Sequence, residues 1–211
     1  MAAKSTSGTG SKKPAAKSAP VKAAAQPAAK TPTRTSSRPP SAAKPASAPA
    51  ALAPADTGGL QAGDVAPTFK LPGAGGESLS LAGFKGKKLV LYFYPKDDTS
   101  GCTKEAIEFN ALKSDFAKAD TVVVGMSPDS VKSHDKFREK YGLTFPLAAD
   151  EDKETLSAYG VWIEKSMYGR KYMGVDRSTF LIDARGRIAR IWRKVKVPGH
   201  AEEVLAAARG L

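Results

Sequence analysis

The chain has one cysteine, Cys102, set among Asp97, Asp98, Thr99, Ser100, Gly101 and Thr103. A lone cysteine is commonly a small buried hydrophobe, but these polar neighbours do not make a core segment. Upstream, Lys88 to Tyr94 is a nearly continuous apolar run, read as a strand covered on both faces, and Pro95 stops it. Downstream, Thr99 and Ser100 can cap a helix running to about Lys118, with Ala106, Phe109, Leu112 and Phe116 on one side. Cys102 is thus predicted in the first turn of a helix, just past the C-terminal end of a central strand. Reactive groups gather at that edge of α/β sheets. Unpaired N–H groups and a partial positive charge there favour thiolate over thiol, and the thiolate is the nucleophile. Thr99 is spaced to exchange a hydrogen bond near the sulfur. Glu105, also in the first turn, suits the positive end of the helix.

The elements that must hold this loop follow an α/β order. Val65 to Leu71 and Ser78 to Leu81 alternate around a Gly-rich turn and predict a short antiparallel hairpin. Thr121 to Met126 predicts a second buried strand, parallel to the first across a right-handed crossover. Ser127 to Ser130 opens a helix that ends at Tyr141, before Gly142. Phe145 to Ala149 predicts a short strand and Thr155 to Tyr159 a helical turn. Thr179 to Asp183 and Arg187 to Val195 predict a hairpin around Ala184-Arg185-Gly186, and Ala201 to Arg209 a closing helix. The fold class is α/β, thioredoxin-like: a central mixed sheet flanked by helices, with an extra N-terminal β-hairpin.

Composition divides the chain in two. Residues 1–59 are Ala, Lys, Pro, Ser and Thr with almost no large apolar side chain, a composition too poor in apolar surface to repay ordering. They read as a disordered basic tail, and residues 60–211 as one domain large enough for a proper core. Of the net charge of +12, the tail carries nine cations against Asp56 alone, leaving only +4 for the domain. A polycationic arm can bind nucleic acid through counterion release, but no aromatic residue is interleaved for base stacking. The tail therefore implies weak, sequence-blind polyanion binding at most. It is Lys-rich, Pro-rich and without amphipathic period, so a cytoplasmic location is expected, with organelle import through the tail as the lesser alternative. No apolar run has transmembrane length. One cysteine excludes an intrachain disulfide framework. His134 and His200 lie far apart with no second ligand motif, so no metal or cofactor is implied. Asp97 and Asp98 read as turn formers, and Trp162 and Trp192 as packing residues.

The motif Pro95-x-x-x-Thr99-x-x-Cys102 resembles the active-site loop of peroxiredoxins. FYPKDDTSGCTKEA, GMSPDSVKSHDKFREKYGLTFPL, VWIEKSMYGRKYMG and RSTFLID, in this order, are similar to the Q-type group, the bacterioferritin comigratory proteins. The resemblance spans nearly all of residues 60–211. It implies a thiol-dependent peroxidase reducing hydrogen peroxide and organic hydroperoxides. Cys102 would be the peroxidatic cysteine, Thr99 would hydrogen-bond the peroxide, and Pro95 would shield the sulfur from water. Arg177 would hold the thiolate, and Glu105 would orient Arg177. From spacing alone Arg177 reads as an ordinary strand-end arginine.

The chain departs from the Q-type pattern twice. Ile107 stands where many members carry a resolving cysteine, and Ser100 where proline is common. No internal disulfide can form, so the cysteine sulfenate must be met by an external thiol, thioredoxin or glutathione with glutaredoxin, or by Cys102 of another chain, and a one-cysteine cycle is expected. Without an internal trap, over-oxidation to sulfinate is expected to be easier. A monomer is expected, since Q-type relatives are frequently monomeric. The competing expectation is a polyanion-binding or redox-sensing protein with little peroxidase turnover.

Overall fold

The computed structural model describes residues 59–167 and 169–211. The expectations for the basic segment 1–59 therefore fall, save for Gly59, outside the described residues. The elements in chain order are β1 (Lys70–Pro72), β2 (Ser78–Ser80), β3 (Lys88–Phe93), α1 (Ser100–Ala111), α2 (Lys113–Lys118), β4 (Thr121–Ser127), α3 (Val131–Tyr141) and β5 (Leu147–Ala149). Then come α4 (Glu154–Ala158), β6 (Trp162–Met167), β7 (Arg170–Val175), β8 (Ser178–Ile182), β9 (Ile188–Trp192) and α5 (His200–Arg209). The central sheet has the order β5-β4-β3-β8-β9. β3 pairs in parallel with β4 and antiparallel with β8, so the sheet is mixed. This is the thioredoxin-like arrangement.

The apolar run of β3 is explained by its two faces. Val90, Tyr92 and Tyr94 point into a core with Ala106 and Phe109 of α1, Phe116 of α2, Phe137 of α3 and Val204 of α5. Leu89, Leu91 and Phe93 alternate to the other side, against Leu156, Tyr159 and Phe180. With both faces covered, a strand keeps no polar alternation. Tyr92 stacks on Phe109 at 4.7 Å and reaches across to β4, where a Cβ on Gly125 would lie 2.8 Å from its hydroxyl and from Leu147. Gly125 is there because the ring fills the space a side chain would need.

The structure revises several element boundaries. The helix predicted from Cys102 to about Lys118 begins at Ser100 and is broken at Leu112, whose ψ of 3° is not helical. The N-terminal strand covers Lys70–Pro72 rather than Val65 to Leu71, and Val65 makes a single bridge to Arg187. α3 ends as its sequence dictates, with Gly142 in the left-handed conformation (φ 60°). β6 and β7 form a separate antiparallel hairpin that no residue pattern anticipates, since exposed residues fill both faces of most of β7. No helix among the described residues is long and apolar enough to cross a membrane.

Candidate active site

β3 delivers the chain to the sheet edge at Phe93, and Tyr94 to Thr99 carry it into α1. Thr99 is the N-cap in extended conformation, and the first intrahelical bond runs from Thr103 N–H to Thr99 O. Cys102 is thus the third residue of a twelve-residue helix, among N–H groups without intrahelical partners. Its side chain is only 2% exposed and turns inward with Tyr92, Tyr94, Ala106 and Phe109.

Arg177 reaches the sulfur from 75 residues away. In the β3–β8 register Ser178 lies opposite Phe93, so the residue before Ser178 stands at the edge where the cysteine loop leaves the sheet. Arg177 Nη2 donates to Cys102 Sγ at 3.2 Å, and its Nη1 donates to Glu105 Oε2. The backbone of Arg177 is held too, its carbonyl accepting from Val195 N–H at 3.0 Å. Cys102 and Glu105 are one helical turn apart on the same face, so one planar guanidinium spans both. Glu105 is 1% exposed, and its Oε1 has no hydrogen-bond partner among the described residues. Burial pushes its carboxyl up to about 7 against the pull of Arg177. Burial opposes the Arg177 charge, but Glu105 and Cys102 outweigh it and hold the guanidinium above its usual range.

The other expected residues lie close in sequence but play different parts in this geometry. The Thr99 hydroxyl donates to the carbonyl of Lys96 at 3.2 Å rather than to the sulfur, and its side chain does not cap α1. Thr99 and Pro95 are both exposed at the mouth of the loop. Ile107 is 46% exposed on the outer face of α1, where it lines a groove of about 450 Å³ with Ser100, Thr103, Lys104 and Tyr141. Neither histidine belongs to a metal-ligand cluster among the described residues. His200 is bound to Thr179 Oγ1 at 2.8 Å, and burial lowers it to about 4.

A second constellation has no counterpart in the sequence reading. Asp97, given only a turn-forming role there, is 6% exposed and sits in a buried network. Its Oδ1 accepts from Tyr94 O–H at 2.8 Å, and its Oδ2 from Ser133 O–H at 2.7 Å. His134 Nδ1 lies 2.9 Å from the same Oδ2. Burial pushes the Asp97 carboxyl up, but the bonds from His134, Ser133 and Tyr94 outweigh it and leave it below the usual range. The Asp97 N–H donates to Asp129 Oδ2 at 2.8 Å. Next to it, Asp98 adopts φ 55° and accepts from Lys140 Nζ at 2.7 Å and Tyr141 O–H at 2.5 Å. The only signal in the sequence is an acidic pair in a short loop facing a helix that carries Ser133, His134, Lys140 and Tyr141.

Residues 62–191 match the AhpC/TSA family. Peroxiredoxin Bcp of Xanthomonas campestris is 50% identical over 146 residues, 68% of this chain and 91% of that protein. Peroxiredoxin Bcp of Bacillus subtilis is 46% identical over 152 residues, 72% of this chain and 97% of that protein. A solved structure of Xanthomonas campestris peroxiredoxin Q aligns with a TM-score of 0.65 at 48% identity, covering 67% of this chain and 90% of that one. The fold, the matched sequence and the single cysteine agree: the chain belongs to the AhpC/TSA family, as a thiol peroxidase of the peroxiredoxin Q (Bcp) type.

Proposed function

We propose that Cys102 is the peroxidatic residue of a one-cysteine cycle. The observation that carries this reading is the 3.2 Å bond from Arg177 to a sulfur in the first turn of α1. The thiolate attacks the terminal oxygen of a hydroperoxide ROOH. An S–O bond forms, the O–O bond breaks, and RO⁻ leaves and takes a proton to become ROH. The sulfur is oxidised to Cys–SOH. Arg177 holds the thiolate and is close enough to polarise the peroxide, a preorganised cation where charge moves. Glu105 fixes the guanidinium plane. Thr99 turns its hydroxyl from Lys96 to the peroxide, and Pro95 narrows the mouth of the loop.

Recycling needs an external thiol R′SH, because position 107 is isoleucine and no second cysteine exists. Attack on the sulfenic acid releases water and leaves Cys–S–SR′. A second R′SH then returns Cys102 to the thiol and leaves as the disulfide R′SSR′. Thioredoxin and glutathione with glutaredoxin are the proposed donors, and a monomer is the proposed working unit. Organic hydroperoxides join hydrogen peroxide as substrates. The Xanthomonas campestris relative has been studied in complexes bearing on its alkyl peroxide reduction activity. Steady-state turnover with each reductant system, on hydrogen peroxide and cumene hydroperoxide, tests the cycle. Turnover lost in Cys102→Ser and restored by neither added thiol supports it. Turnover that persists without Cys102 would sink it.

A further inference from the structure

The geometry points to Asp97 and His134 as a latch that holds the cysteine loop closed over Cys102 and sets both rates of the cycle. The inference rests on the peroxidase reading above.

The ring of His134 is fully buried and faces acceptors at both ends. Nδ1 lies 2.9 Å from the Asp97 carboxylate, and Nε2 lies 3.2 Å from the carbonyl of Ala148. One side chain thereby joins Asp97 to the backbone of β5. Asp97, His134, Tyr94 and Ser133 therefore form one buried hydrogen-bond network centred on the Asp97 carboxylate. Removing one member leaves its buried partners unsatisfied, so the network resists opening.

What it fastens is the loop. Asp97 stands between Pro95, where β3 has ended, and Thr99, the N-cap of α1. Its partners Ser133 and His134 belong to the first turn of α3, and Ala148 to β5. The left-handed Asp98, tied to Lys140 and Tyr141 at the far end of α3, adds a second fastening. Asp97 and His134 touch neither the sulfur nor Arg177, so they are positioning residues. Closed, the loop seats Cys102 in the helix turn and against Arg177, where the thiolate is held for peroxide. Closed, it also leaves the sulfur 2% exposed, which admits a peroxide more readily than a thiol carried on a larger molecule. Loosening the latch should therefore slow oxidation and speed external reduction.

Three variants test this: His134→Ala, His134→Asn, which keeps a neutral donor toward Asp97, and Ser133→Ala, which removes one bond to Asp97. Stopped-flow gives the rate constant for hydrogen peroxide. A chromophoric small thiol, thionitrobenzoate, gives the rate of attack on the sulfenate. N-ethylmaleimide alkylation reports access to Cys102 without any peroxide. His134→Ala should lose about 10- to 100-fold in oxidation, the scale of a small misplacement of reacting groups. Its sulfenate and its thiol should both react several-fold faster with the small reagents. His134→Asn should recover part of each effect, and Ser133→Ala should move all three in the same directions by less. Any pattern other than slower oxidation with faster thiol attack and alkylation overturns the latch. If His134→Ala does not fold, Ser133→Ala decides alone. If wild type itself fails to react with peroxide, the peroxidase reading falls, and the alkylation rates still decide whether the pair is a latch.

Discussion

Replacing Arg177 with methionine keeps an unbranched side chain and removes the guanidinium from between Cys102 and Glu105. The lost bond to Sγ is 3.2 Å long and comes from a cation, in a site where the cysteine is 2% exposed. Hydrogen bonds to charged groups contribute about 1.5–3 kcal/mol, and each 1.36 kcal/mol is tenfold. The second-order rate constant for peroxide should therefore fall about 10- to 150-fold. A fall could also follow from damage to the fold, because Glu105 loses its partner. Glu105 already sits at about 7, so at pH 6 it is largely protonated with Arg177 in place, and losing the ion pair disturbs little there. The measurement is stopped-flow at pH 6 and pH 8, with denaturant melts of the same samples. Glu105→Gln is the control: it keeps a neutral acceptor for Nη1 and should hold the rate within about threefold. The double variant should be as slow as Arg177→Met. Arg177→Met retaining wild-type rate at both pH values would remove the arginine from the chemistry. Recovery of rate in the double variant would show that Arg177 serves only to neutralise Glu105.

Other expectations follow from the same geometry. Glu105 has a folded value of about 7 against an ordinary 4.5, so its contribution to stability is fully present below pH 4.5 and is lost as pH rises toward 7. Over that window Glu105→Gln should gain about 3 kcal/mol relative to wild type. Denaturant melts at pH 4.5 and 7.5 check this, and a pH-independent difference would contradict the buried-acid assignment. Gly125→Ala must push a methyl into Tyr92 and Leu147 at 2.8 Å, and overpacking of this kind costs about 1–3 kcal/mol. An unchanged melting temperature would show that β3 and β4 can shift apart there. Replacing the nine tail cations with glutamine should abolish any gel shift with DNA at low salt while leaving peroxide turnover unaltered. A shift of equal strength in both proteins would place polyanion binding elsewhere.

The sheet and most helices were legible because their signals are local. The apolar runs of β3 and β4 mark strands with two covered faces, and Ser130 and Gly142 bound α3 by side-chain and backbone rules that act within a turn. The break at Leu112 was not legible, since Phe116 continues the apolar spacing of α1 and the break is a change of backbone angle alone. The β6–β7 arm stayed hidden because its exposed residues have no face to bury and hence no alternation. At the site, Cys102 could be placed from the strand–loop–helix order around it. Arg177 could be placed only through the family likeness, because the β3–β8 register that brings it in closes across 75 residues. The Asp97–His134 pair had neither signal, as a charged loop residue looks the same in sequence whether it faces water or a buried imidazole.

The decisive measurement is intact-mass and peptide analysis of the reduced protein after one equivalent of hydrogen peroxide, followed in time and matched to the stopped-flow trace. One oxygen atom gained at Cys102, at the rate of peroxide loss, and removed by added thiol through a mixed disulfide, is the predicted result. Peroxide consumed without modification of Cys102, or Cys102 reacting no faster than a free thiol in water, would contradict it.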